Sequence, residues 1–132
     1  MAAVDVVEAF LADEPDLRGR RLAHAQWGLS VPGERLAGVR LDVGLSVAGG
    51  LLSAKAPVLA SADEVDPWML LWWNRQTRYV RFGCTQSREL WVHADLPAAG
   101  LDERALDRLL GLVVEAALAV RRHQAAASRE PG

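Results

Sequence analysis

One cysteine, one lysine and no isoleucine occur among the 132 residues. Cys84 alone can close no disulfide within the chain, so the fold must rest on burial, and a reducing, cytoplasmic setting is expected. Fourteen arginines stand against the single Lys55. With isoleucine missing as well, that excess reads as the imprint of a GC-rich coding sequence and carries no argument for nucleic acid. Long apolar runs are also missing. The longest, Leu109 to Val120, is too short to span a bilayer and contains Glu115. Met1 to Leu11 contains Asp5 and Glu8 but no basic residue, so it does not read as a signal peptide, and no membrane partner is expected. Catalytic signatures are absent too. There is no Gly-x-Ser-x-Gly, and Gly49-Gly50 lacks the following helix that a phosphate cradle requires. His24, His93 and His123 fall on three separate elements without ligand spacing, so neither a metal nor a cofactor is expected.

What is present is ordinary globular material. Hydrophobic residues make up 51% and charged residues 24% of the chain, enough to bury a core at this length. The formal net charge is −2, whereas a dedicated DNA-binding domain is usually strongly basic. The organisation expected is a single domain over residues 1–124 with a flexible tail over 125–132.

Two hydrophobic periods alternate along the chain. Ala3 to Glu14 has helical spacing at Val4, Val7 and Leu11, and Pro15 ends it. Arg21 to Val31 reads as one strand, with Ala23, Ala25, Trp27, Leu29 and Val31 on a common face. Arg35 to Ala48 reads as a second strand, its face set by Ala37, Val39, Leu41, Val43, Leu45 and Val47. Gly49-Gly50 suits a hairpin turn into a third strand, Leu51 to Leu59, where Pro57 points to an edge or an end. Asp66 and Pro67 suit the start of a helix over Trp68 to Gln76. Tyr79 to Cys84 and Glu89 to Leu96 form a last hairpin. Cys84 is expected to face the core from it, and Tyr79, Arg81, Trp91 and His93 to share the opposite face. A final helix runs from Asp102 to about Gln124, with a stripe of Leu106, Leu109, Leu110, Val113, Ala117 and Val120. The order α-β-β-β-α-β-β-α predicts an α+β fold with a five-stranded antiparallel sheet.

The middle helix carries the first candidate site. Trp68, Met69, Leu70, Leu71, Trp72 and Trp73 cover the whole circumference of a helix, so one face lacks a partner within the chain. Tryptophan is enriched at binding hot spots because it buries a large area and keeps a polar N–H. The candidate dimer or client interface is therefore Trp68, Leu71, Trp72 and Trp73, with Tyr79 and Trp91 from the last hairpin. A second constellation interleaves Arg75, Arg78, Arg81 and Arg88 with Tyr79, Phe82 and Trp91, the residue types that hold single-stranded nucleic acid. A Cys84–His93 dyad is disfavoured, because the strand parity puts the two on opposite faces.

The element order, the Leu70-Leu71 and Asn74-Arg75 of the middle helix, and the run Leu90 to Pro97 followed by Gly100-Leu101, Leu106 and Leu109 resemble the type III secretion chaperone-like fold. Within it the chain is similar to the YbjN family of bacterial regulators over roughly residues 3 to 122. The resemblance implies a homodimer in which the middle helix and late strands pair across a two-fold axis. It also implies apolar surfaces that hold an extended segment of a client protein, with no enzymatic activity. Two other readings are a nucleic-acid accessory protein using the arginine–aromatic face and a small-molecule sensor.

Overall fold

Strict alternation decides which side of the sheet is buried. In the computed structural model, which describes residues 2–129, Leu41, Val43 and Leu45 are buried while Asp42 points the other way. The same period of two runs through Trp27, Leu29 and Val31, through Leu52, Ala54, Ala56 and Val58, and through Leu90, Val92 and Ala94. One apolar face and one polar face follow, as in an antiparallel sheet covered on a single side. The strands are β1 (Arg20–Ala23), β2 (Gln26–Val31), β3 (Leu41–Ala48), β4 (Leu51–Leu59), β5 (Val80–Cys84) and β6 (Leu90–Pro97). They form one fully antiparallel sheet in the order β1-β2-β3-β4-β6-β5.

The cover comes from α1 (Ala3–Asp13) and α3 (Glu103–Arg129). All six residues of the predicted α3 stripe are buried. They pack over β4, β5 and β6, and α1 lies beside α3. Val6, Val7, Phe10 and Leu11 complete the core from α1. The remaining helix, α2 (Pro67–Gln76), sits at the β5 edge and has no buried residue. No helix among the described residues is long and apolar enough to cross a membrane.

The sheet has six strands and not five. The stretch predicted as one strand turns back at His24-Ala25, where Ala25 takes φ 53° and Ala23 pairs with Gln26. An alanine in left-handed backbone carries no turn signature, and Ala25 is buried as a strand residue would be. The second strand begins only at Leu41. Before it lie a 3-10 turn, Gly33–Arg35, and positive φ values at Ala37 and Gly38. Leu36 takes the buried position in that turn, and Val39 is exposed. Pro57 is not on an edge strand: β4 pairs with β3 and β6, and Pro57 stands at the register irregularity between Pro57 and Leu59, past the last β3 pair. Cys84 is exposed, because β5 is the sheet's edge and Cys84 its last residue. Tyr79 lies ahead of β5 with φ 67°, so it is not on the polar sheet face. The final helix continues through Ala125, Ala126 and Ala127, strong helix formers, to Arg129. The last part of the predicted tail, residues 130–132, lies outside the described residues.

One side chain ties the irregular segment before β3 to α3. From α3, Arg121 donates to the carbonyls of Val39 (2.6 Å), Val58 (3.2 Å) and Arg40 (3.4 Å). Burial holds its pKa below the ordinary arginine value. Charged donors to backbone carbonyls contribute more than neutral ones. Arg121→Ala is expected to lower the unfolding free energy by about 2 kcal/mol in urea titration; a loss below about 0.5 kcal/mol would show that the segment holds itself.

Candidate functional site

The helix α2 starts where the sequence predicts. Asp66 accepts a hydrogen bond from the backbone N–H of Trp68 at 3.0 Å, and Pro67 occupies the first turn. Its inner side is half-buried. Leu70 and Trp73 pack against the core, and the Trp73 ring lies 6.0 Å from Phe82 and 5.9 Å from His123, edge-on to the latter. Asn74 acts as a substitute strand. Its carboxamide accepts from the backbone N–H of Phe82 at 2.7 Å and donates to the Phe82 carbonyl at 3.2 Å. The Thr77 hydroxyl donates to the Val80 carbonyl. Backbone groups of β5 that would otherwise invite another strand are thereby occupied.

The outer side of α2 has no cover. Trp68 is 78% exposed, and Leu71 and Trp72 are each 59% exposed. With Arg75, also exposed, they stand at i, i+3, i+4 and i+7, a single stripe along the helix. At the C-terminal end of α2 lies an apolar groove of about 580 Å³, shared with α3 and lined by Trp73, Tyr79, Val80, Phe82, Leu112 and Ala116. Tyr79, 61% exposed, forms part of its rim. Five of the six candidate interface residues thus lie on or beside α2. Trp73 faces inward, and Trp68, Leu71 and Trp72 face outward.

Trp91 belongs elsewhere. It stands on the polar sheet face, paired across to Pro57 and Gly83, with its indole N–H 3.4 Å from a Glu89 carboxylate oxygen. Beside it on β6 are His93 and Asp95. Asp95 accepts from Ser53 at 2.6 Å and from Arg81 at 2.8 Å. The four arginines do not share a face. Arg75 is on α2 and Arg78 lies between α2 and β5, at the groove. Arg81 is ion-paired with Asp95, and Arg88, in the β5–β6 turn, with Asp63 at 3.1 Å. Cys84 and His93 lie on opposite sheet faces, since Cys84 pairs with Leu90. Among the described residues no group of three His, Cys, Asp or Glu is placed to hold a metal ion. Arg81, Trp91 and His93 lie on the polar face, as strand parity predicts; what the sequence did not single out were Gly28, Gly44 and Gly83 at outward parity within the strands.

Comparison with known proteins adds the following. Residues 32–124 match the model of the YbjN family, described as "Putative bacterial sensory transduction regulator". No curated protein gives a significant match. Among solved structures, the Yersinia pestis type III secretion chaperone SycH, in complex with a stable fragment of YscM2, superimposes with a TM-score of 0.64 at 13% identity, covering 89% of this chain and 98% of that one. The ExsC–ExsE complex gives 0.67 at 20% identity, covering 92% and 96%. YbjN from E. coli, described as "a putative transcription regulator", gives 0.58 at 18% identity, covering 94% and 97%. At these identities the likeness shows the fold, α+β of type III secretion chaperone kind.

The polar face predicts a pH dependence. Burial first, then the charges of Arg81 and Lys55, hold His93 below its ordinary 6.5. The Ser53 hydrogen bond first, then Arg81, holds Asp95 below its ordinary 3.8. In both cases the unfolded chain binds the proton more readily, so stability rises with pH. The His93 contribution falls away as pH drops below 6.5 toward its folded value, and that of Asp95 as pH drops below 3.8. Urea unfolding across this range should show both losses, with Ser53→Ala flattening the acid one. An NMR titration placing Asp95 at or above 3.8 would contradict this account.

Proposed function

The chain belongs to the YbjN family, and from that premise we propose that it is a non-enzymatic, chaperone-like regulatory protein of the cytoplasm, which homodimerises through α2 and holds a segment of a client protein. The observation that carries the reading is the uncovered stripe of Trp68, Leu71 and Trp72. Large aromatic and aliphatic side chains in one exposed row are what a specific interface buries at its centre.

A two-fold dimer suits the stripe in detail. A ten-residue helix spans roughly 15 Å, with Trp68 at one end and the Tyr79 groove at the other. Antiparallel pairing of two copies of α2 brings Trp68 of each copy toward the groove of the other. That reciprocal arrangement is the self-complementarity a two-fold interface requires. The SycH structure is a complex with a protein fragment, which supports reading the fold as a holder of protein segments. The Asn74 and Thr77 bonds on β5 steer partner binding toward faces and away from strand addition at that edge.

Sedimentation equilibrium tests the dimer. The wild-type chain of 14.3 kDa should sediment at twice that mass at micromolar concentration. Trp72→Ala should weaken association by about 2 kcal/mol, roughly thirtyfold in Kd, with its circular dichroism unchanged because Trp72 lies outside the core. A wild-type monomer would overturn the dimer. Affinity capture from nuclease-treated lysate then tests the client: one protein recovered in near-stoichiometric amount supports it, and an empty capture counts against it.

A further inference from the structure

A single row of paired residues crosses the whole sheet on the face that α1 and α3 leave open. It runs Arg20, Gly28, Gly44, Lys55, His93, Arg81, one residue from each strand. Its second and third members, Gly28 and Gly44, have no side chain, so the row dips between Arg20 and Lys55. The depression is part of a trough of about 990 Å³ that also includes Arg18, Leu22, Arg35, Pro57 and Trp91.

Nothing in the fold requires those glycines. Neither Gly28 nor Gly44 has positive φ. A Cβ on Gly44 would come no closer than 3.9 Å to Lys55. One on Gly28 would meet, at 3.3 Å, only the far end of Leu22, an exposed side chain. Glycine within a strand weakens it, and a β-branched residue would fit the pleated surface better. Where no steric demand explains such a residue, close approach of another backbone does.

Charge identifies what approaches. Five basic and three acidic side chains line the trough, a net positive charge on a chain whose overall formal charge is −2. Of the acids, Asp42 already accepts from Ser30 at 2.7 Å and pairs with Arg40 at 3.4 Å. Arg18, Arg20, Arg35 and Lys55 have no carboxylate within salt-bridge distance among the described residues. The same positive field is felt by His93, whose proton affinity is lowered by burial and then by Arg81 and Lys55.

We propose that this trough binds an extended acidic segment of a protein partner, its backbone crossing over Gly28 and Gly44 and its carboxylates pairing with Arg20 and Lys55. Three strand spacings of roughly 4.8 Å separate Arg20 from Lys55, about 14 Å in all. Two acids four residues apart in an extended chain, at about 3.4 Å per residue, match that distance. Nucleic acid fits less well. Its charge repeats at every nucleotide and would meet Asp16, Glu34 and Asp42, and Trp91 is the only aromatic lining the trough. The proposal deepens the client-binding reading and rests on it, but uses a surface separate from α2.

Fluorescence anisotropy with a labelled peptide of alternating glutamate and threonine tests it on the full chain. The wild type should bind this probe and not its lysine–threonine counterpart. Lys55→Glu and, independently, Gly44→Val should each weaken binding at least about tenfold. Gly44→Val should keep or raise the melting temperature, since its Cβ meets Lys55 at no less than ordinary van der Waals distance and a β-branched residue suits a strand. No binding by the wild type, or equal binding by both variants, overturns the proposal. Tighter binding of oligothymidylate, lost in the same variants, overturns it in favour of nucleic acid. A Trp68→Ala/Trp72→Ala chain separates the two readings. It should retain the probe even where α2 no longer self-associates, so failure at one surface leaves the other readable.

Discussion

Everything in this molecule depends on a sheet that is apolar on one side only. Five of the six strands, β2 to β6, bury their inward residues beneath α3, roughly 40 Å long at 27 residues, and the shorter α1, while β1 is exposed throughout. Those two helices account for the cover that the apolar face needs. The third helix is left at the margin, where β5 ends the sheet and only Leu70, Trp73 and Asn74 find something to pack or bond against. An α2 of ordinary amphipathic composition would sit there quietly. This one is apolar around its circumference, so its far side is bare. The opposite sheet face is bare for the complementary reason, that no helix remains to cover it.

The parts legible in the sequence are those governed by local periodicity. The buried residues of β3, the Gly49-Gly50 turn with both φ values positive, the Asp66–Pro67 start of α2 and the whole α3 stripe follow from local sequence alone. What escaped depends on backbone that does not announce itself. Ala25 and Ala37 adopt left-handed φ values without being glycine or asparagine. The first hides a hairpin inside an alternating run and turns Ala23 away from the buried face, and the second delays the start of a strand until after its alternation has begun. Leu36 shows why: burying one leucine in a turn defeats the pattern carried by Ala37 and Val39.

The candidate site divides along the same line. That α2 has too many apolar residues for one packing face is a statement about circumference, and the sequence suffices for it. Which residues face outward depends on where β5 stops and how Asn74 docks, which are tertiary facts. Trp91 illustrates the limit. Its residue type marked it as an interface candidate, but strand parity sets it on the far face, among charged and small residues and away from the tryptophans of α2. Arg81 and Arg88 looked like free cations in the sequence because Asp95 and Asp63, their partners, are distant in the chain.

The two bare surfaces differ in chemistry, and that difference bears on how they could work together. The α2 stripe is apolar and rigidly held at its inner edge, the kind of surface that gains most from permanent burial against a matching copy. The trough is shallow, charged and floored by glycine, the kind that gains from reversible contact with a polar chain. In the proposed dimer, pairing through the first would leave the second open on both copies. A dimer so formed carries two troughs, and a client with two suitable segments could engage both. Its second contact would then be intramolecular, raising affinity through effective concentration without any deeper pocket. In the proposed dimer, a fold with a one-sided sheet and a surplus helix would therefore supply two copies of a weak polar site from one apolar seam.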